Sequence, residues 1–351
     1  MKLVLITKDF YKSTIIGPVI SIKNYLKSSV KKNQIIIIDH NSTNKTNIKK
    51  KNLEIFFIKN FFSAIKNIIK INQIIKKSDQ VDIHSFFDFV LFFQIIFLCF
   101  LNNKKIKIYL RGMVNDNVIV NKKILKKLYI FVANFFLKKA LIVCTSNYEL
   151  NISKKYFTKN LFLIENNEVS KKYKLEKFKS LKKKKGNLKV LFYSNISWKK
   201  NFSFVYEILK ELNFKVEFNI YGKCSISNKY FNKMLLELKK IHLVNYYGYS
   251  KSVNKRHIFH NSHLFFLPTI DENFGHAIVE SFLHYRPCLI SNNTPWNDNK
   301  NYNAGFSIEL NKKTEYKKKL KYFYSMNQST FNKMCIDSKK YILKKLELGN
   351  Y

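Results

Sequence analysis

Short apolar runs alternate with longer amphipathic stretches along the whole chain. In the first half, Leu3–Ile6, Ile35–Ile38, Ile55–Ile58, Val81–Ile83, Ile106–Leu110, Leu141–Cys144 and Leu161–Ile164 are too short for helices and read as strands. Between them, Val19–Leu26, Phe62–Ile75 and Ile124–Phe136 carry apolar residues at helical spacing. From Ser170 to Leu188 the alternation gives way to a lysine-rich stretch ending in Gly186-Asn187. A second series follows: Val190–Tyr193, Val216–Tyr221, Val244–Tyr247, Leu264–Leu267, Cys288–Ile290 and Phe306–Ile308, then a lysine-rich helical pattern from Lys313. Apolar strands joined by helical crossovers predict an α/β fold with two doubly wound parallel sheets. The expected domains are 1–170, a linker over 171–188, a second domain over 189–325 and a helical tail over 326–351.

Phe86–Leu101 is the most apolar stretch. It is short for a membrane span and broken by Asp88 and Gln94, so a core helix is expected. The N-terminal residues Met1–Thr7 read as a first strand and lack a cleavage region, so no signal peptide is expected. Cys99, Cys144, Cys224, Cys288 and Cys335 form no Cys-x-x-Cys pair and sit mostly among apolar neighbours, which favours free thiols in a reducing compartment.

Composition changes the weight of individual residues. Arg111, Arg256 and Arg286 are the only arginines among 64 Lys+Arg, and there are only 8 Gly and 4 Pro. This resembles a bias toward AT-rich codons, against which each surviving Gly or Pro points to a backbone requirement. The formal net charge of +41 has three readings: codon bias filling solvated positions with lysine, attraction to an anionic membrane, or nucleic-acid binding. Scarce arginine and the lack of a nucleic-acid module weigh against the last.

Candidate chemistry concentrates after Leu264–Leu267. There Pro268-Thr-Ile-Asp-Glu-Asn-Phe-Gly-His-Ala-Ile-Val-Glu280 leads through a Gly-bearing loop into a helical pattern. Ser291-Asn-Asn-Thr-Pro-Trp296 closes the next strand. Gly275 stands where the helix begins, so unpaired N–H groups and the positive dipole end could receive a diphosphate. Glu280, about one and a half turns on, could accept hydrogen bonds from two vicinal hydroxyls. Read alone, Glu272 caps the helix and Glu280 is a solvated charge. The strand–loop–helix–strand context favours the ligand reading. Lys199 or Lys200, in Ser194–Asn201, could neutralise a leaving phosphate, and Gly222 at a strand end permits close approach. In the first half, Gly17 opens a single-glycine loop, Arg111 precedes Gly112 at a strand end, and His84 is a polar or structural histidine at another. Metal and P-loop motifs are missing, and Asp-x-Asp does not occur.

These residues resemble a known family. Leu264–Leu310 is similar to the donor-binding region of retaining GT-B glycosyltransferases of glycosyltransferase family 4 (group 1), whose glutamate pair with seven residues between is matched by Glu272 and Glu280. The Pro-Thr-x-x-Glu-Asn-Phe-Gly-His run and Thr294-Pro-Trp296 resemble a subgroup acting in surface polysaccharide assembly, as do Leu110-Arg-Gly-Met113 and Thr145-Ser-Asn-Tyr-Glu149.

The resemblance implies two Rossmann-like domains facing a cleft, with the tail helix crossing back to the first. Glu280 would hold the ribose, Glu272 would contact the donor sugar, and Lys200 would support the diphosphate. Asn273, Phe274, Gly275 and His276 would line the sugar–phosphate region, with Asn195, Gly222 and Thr294 also on the donor side. His84 and Arg111 are first-domain catalytic candidates and Gly17 lies on the acceptor side. Transfer would retain anomeric configuration and require no metal or cofactor beyond the nucleotide-sugar substrate.

Two positions depart from the pattern: Asn195 replaces the usual Arg, and Glu165-Asn-Asn167 replaces Pro-Asn-Gly. Losing a charged phosphate contact costs about 1.5–3 kcal/mol. The expected protein is cytoplasmic and peripheral to the inner face of the plasma membrane, transferring a sugar to a polysaccharide or lipid-linked acceptor. The alternative is a catalytically impaired sugar- or nucleotide-binding protein.

Overall fold

A computed structural model describes residues 1–348 apart from 9, 11–21, 24, 27–28, 31–32, 41–47, 85, 89–91, 115–122, 146, 159, 165–176 and 250–253. Gly17, Asn166 and Asn167 lie outside the described residues, as does half of Val19–Leu26. The chain divides into two compact units, Met1–Ser170 and Lys171–Tyr351.

The first unit contains β1 (Lys2–Lys8), β2 (Gln34–His40), β3 (Ile48–Lys50), β4 (Leu53–Ile58), β5 (Gln80–Ile83), β6 (Lys105–Tyr109), β7 (Leu141–Cys144) and β8 (Leu161–Ile164). They form one sheet in the order β3-β4-β2-β1-β5-β6-β7-β8, parallel except for the short edge pair β3–β4. The sequence Ile-Lys-Lys in β3 offered no periodicity to read. Alternation along β1 divides the core. Leu3 and Leu5 pack with Ile22, Leu26, Ile35 and Ile37 on one side of the sheet. Val4 and Ile6 belong to the other side, covered by α1 (Phe61–Lys66), α2 (Ile68–Lys76), α3 (Phe92–Leu101) and α4 (Lys123–Phe136). Helix α5 (Asn147–Lys154) follows β7.

The expected Phe62–Ile75 helix is divided at Asn67. Its amide side chain donates to the Ser63 carbonyl at 2.7 Å, a local bond that competes with continuation of the helix. The expected core helix within Phe86–Leu101 buries Ile95, Ile96 and Cys99, while Phe97, Phe100 and Leu101 remain exposed. It is therefore a surface helix with an apolar outer face. No helix among the described residues is long and apolar enough to cross a membrane.

The second unit contains β9 (Lys189–Tyr193), β10 (Glu217–Tyr221), β11 (Leu243–Tyr246), β12 (Leu264–Leu267), β13 (Cys288–Ser291) and β14 (Gly305–Ile308). All pairings are parallel, in the order β11-β10-β9-β12-β13-β14. Strand order therefore reverses between β9 and β12, opening a crevice at their carboxyl ends. The helices are α6 (Phe202–Lys210), α7 (Asn228–Lys239), α8 (Lys255–His260), α9 (His276–Leu283), α10 (Lys313–Ser325) and α11 (Gln328–Leu348). Residues of β12 and β13 are buried on both faces, which explains their uninterrupted apolar sequence. Helix α11, expected as a tail, packs on α9 within this unit.

Arg286 is fully buried and structural. Its guanidinium donates to the carbonyls of Phe259, His260 and Tyr285 at 2.8–3.0 Å, collecting the C-terminal end of α8 in a geometry suited to its rigid fork. Residues of the expected linker that are described also belong to this unit. Lys183 donates to the carbonyls of Lys184, Asn187 and Tyr324, and burial pushes its ammonium down to about 8.

His263 joins the linker to the sheet. Its Nδ1 accepts from the Lys189 N–H at 3.0 Å, and its Nε2 donates to the Lys182 carbonyl at 3.1 Å. Those fixed partners require the neutral ring, and burial foremost lowers its pKa to about 4. An unfolded histidine takes up a proton near 6.5, so stability is full above that pH and falls as pH drops toward 4. The total effect is about 3 kcal/mol. Urea unfolding should show this decline, and His263→Gln should flatten it.

Candidate functional site

Two loops meet where the strand order reverses. The first, Ser194–Asn201, follows β9 and contains a 3-10 turn at Trp198–Lys200. The second, Pro268–Gly275, follows β12 and ends at the left-handed Gly275, φ 74°, immediately before α9. The Thr269 hydroxyl and the Ile270 N–H each donate to the Lys199 carbonyl at 2.9 Å, joining the loops. From the other side, the Glu272 N–H donates to the Asn293 carbonyl at 3.0 Å. The Asn293 amide donates to the Ile270 carbonyl at 2.9 Å. The buried Trp296 indole N–H donates to the Phe274 carbonyl at 2.5 Å, and its ring meets Phe274 edge-on.

These bonds hold the polar backbone of 269–274 between its neighbours. Gly275 is then required twice: its φ is unfavourable for an L side chain, and a Cβ would lie 3.0 Å from Glu272 Cγ and Ile278 Cδ1. No side chain caps α9, whose first N–H groups and positive dipole end stand at the crevice.

Three lysine–carboxylate pairs surround this helix start. Lys200 is bound to Glu272; Lys199 Nζ is 3.0 Å from Asp271; Lys255 Nζ is 2.5 Å from Glu280. Burial would raise the Glu272 carboxyl, but the Lys200 charge and hydrogen bond, with weaker help from Lys199 and His276, hold it below the ordinary glutamate range. It is an anion paired with a cation within reach of the helix N-terminus. Such a cation can exchange its carboxylate for a phosphate.

The remaining donor-side candidates divide by position. His276 begins α9 and its ring packs on Phe274 at 4.9 Å; Asn273 is half-buried on the same loop. Thr294 is buried, and its hydroxyl accepts from the Trp296 N–H at 3.2 Å. Asn195 is exposed on the β9 loop. Gly222 follows β10 with φ 148°, and a Cβ there would overlap the Ser194 carbonyl oxygen at 1.8 Å. The close approach it permits is between the β9 loop and its own chain.

The first-unit candidates also gather at carboxyl strand ends. His84 follows β5, stacks on Tyr109 at 4.3 Å, and has no hydrogen-bond partner for either ring nitrogen among the described residues. Burial, then the Arg111 charge, keeps it neutral, well below the ordinary histidine pKa. The Arg111 guanidinium lies 5.4 Å over the Tyr109 ring. Arg111 and Gly112 both have positive φ, and buried Glu149 ties this turn down by accepting from the N–H groups of Gly112 and Thr145.

Sequence reasoning missed Lys255, Asp271, Tyr109 and the bracing role of Glu149. Glu149 stood within a quoted motif, but Lys255 was hidden among many lysines. No cluster of three or more metal-capable residues occurs among the described residues.

Residues 174–341 match the family model described as glycosyl transferases group 1, just under half of the chain. No curated protein matches in sequence. Similar solved structures include HepE from Anabaena in complex with UDP and glucose. It is 12% identical, with 100% of this chain and 97% of that chain covered at a TM-score of 0.71. Sucrose-phosphate synthase from Thermosynechococcus elongatus is 9% identical, with 98% and 94% covered at 0.73. The apo lipopolysaccharide outer core galactosyltransferase WaaB is 13% identical, with 99% of each chain covered at 0.64. The fold is GT-B, built from two parallel-sheet α/β units. Together with the match over the second unit, it supports a GT-B glycosyltransferase.

Two substitutions test the loop construction. Gly275→Ala should lose about 1–2 kcal/mol from the left-handed backbone alone. Trp296→Phe should lose about 1–3 kcal/mol by removing the buried indole hydrogen bond to the Phe274 carbonyl. Equilibrium urea unfolding reads both; wild-type stability in either variant would contradict the described role.

Proposed function

We propose that the protein is a retaining glycosyltransferase moving a sugar from a nucleotide-sugar donor to a saccharide or lipid-linked acceptor in surface-glycan assembly. The observation carrying this reading is the uncapped start of α9 beside the Lys200–Glu272 pair at the strand-order reversal. The diphosphate is assigned to the N–H groups following Gly275 and to Lys200, which releases Glu272 to meet the sugar hydroxyls. Glu280 receives the ribose hydroxyls once Lys255 yields. As the anomeric C–O bond breaks, negative charge grows on the departing diphosphate. The helix dipole and Lys200 are placed to stabilise it. His84, neutral and buried, and Arg111 are assigned to the acceptor hydroxyl. No metal is assigned to the step. A second reading, a binding protein without turnover, draws on Asn195, where the related pattern has a cation.

Calorimetry with a panel of nucleoside diphosphates and nucleotide sugars tests the donor site. One nucleotide should bind, and Glu280→Ala should weaken it roughly 10- to 100-fold through lost charged hydrogen bonds. No binding by a folded sample would reject the reading. Donor binding without sugar transfer to any acceptor tried would favour the second one.

A further inference from the structure

The first unit carries an outward face that a water-exposed helical layer would not ordinarily have. Helices α2, α3 and α4 pack side by side and cover the core with Ile71, Ile75, Ile95, Ile96, Ile130 and Ala133. Their outer surfaces should then be polar. Instead Ile69, Phe97, Phe100, Leu128, Phe131 and Phe135 are exposed, Phe131 to 77% and Phe135 to 62%. Those of α3 and α4 are not scattered. Leu128, Phe131 and Phe135 follow one helical stripe, and the rings of Phe97, Phe100 and Phe135 all meet Phe136, at 6.4, 5.6 and 5.2 Å. A contiguous apolar patch of this kind marks an interaction surface.

Its charge identifies the partner. Helices α2, α3 and α4 contain no Asp or Glu. Lys127 is exposed on α4 just before Leu128, and Lys138 follows the helix with its Nζ 5.2 Å over the Phe135 ring. Aromatic and aliphatic side chains flanked by lysine suit the boundary between headgroups and acyl chains, and lysines near that surface are attracted by anionic lipid. A second copy fits less well, because each chain carries +41.

We propose that the outer face of α2, α3 and α4 docks on an anionic lipid bilayer, with the phenylalanines entering the headgroup boundary. The docking is the first unit's own property. Its purpose, meeting a lipid-linked acceptor, rests on the transfer reaction proposed above.

The test is co-sedimentation of the full chain with phosphatidylcholine vesicles, with and without phosphatidylglycerol, in the absence of nucleotide. The wild type should bind the anionic vesicles and lose affinity between about 0.1 M and about 0.5 M salt. A Phe97→Ser, Phe131→Ser, Phe135→Ser variant should bind roughly tenfold or more weakly. Lys127→Gln with Lys138→Gln should weaken binding to anionic vesicles alone. Circular dichroism melting and nucleotide calorimetry confirm folding and keep the two proposals separable, since a chain that binds no nucleotide can still bind vesicles. Folded aromatic variants that bind vesicles as the wild type does would overturn the proposal. So would a wild type that ignores anionic lipid, or one that forms a dimer dissolved by the same substitutions.

Discussion

The candidate site depends on how the backbone of Pro268–Gly275 is held. A loop at the end of a buried parallel strand carries polar groups that water cannot reach, and each must find a protein partner. Here the partners come from both sides: the Lys199 carbonyl from the β9 loop, and Asn293 and the Trp296 indole from the β13 loop. Once those bonds are made, Gly275 is left with a left-handed backbone and no room for a Cβ. The start of α9 is aimed by these contacts.

Electrostatics acts on this frame. The three ion pairs leave the carboxylates around α9 neutralised by lysines in the absence of an anionic ligand. This is a balanced arrangement in a strongly cationic chain. On the proposed reading, an incoming diphosphate would replace one anion by another near Lys200, so the cation would not be stripped of all its partners. The exposed pairs on α6 and α10, such as Lys313 with Glu207, are solvated and contribute little by comparison.

The rare arginines illustrate how the same residue type serves different needs. Arg286 is consumed by three backbone carbonyls in the core of the second unit. Arg111 lies on a positive-φ turn over Tyr109, where it also depresses the His84 pKa. Scarcity in the sequence drew attention to Arg111, but what each of these two arginines does is set by its neighbours.

Local pattern determined the strands, because a buried parallel strand must be apolar along its length whatever surrounds it. Every strand read from the sequence is present, and among the described residues the unread one is the three-residue edge β3. The helix start at Gly275 was legible for the same reason: it is a short-range backbone requirement. Tertiary structure alone decided which carboxylate each lysine meets, since Lys200 and Glu272 are far apart along the chain and one lysine resembles another in sequence. It alone buried Trp296 and Arg286. It also exposed the outer phenylalanines of α3 and α4, because hydrophobic periodicity identifies an apolar stripe without saying whether anything covers it.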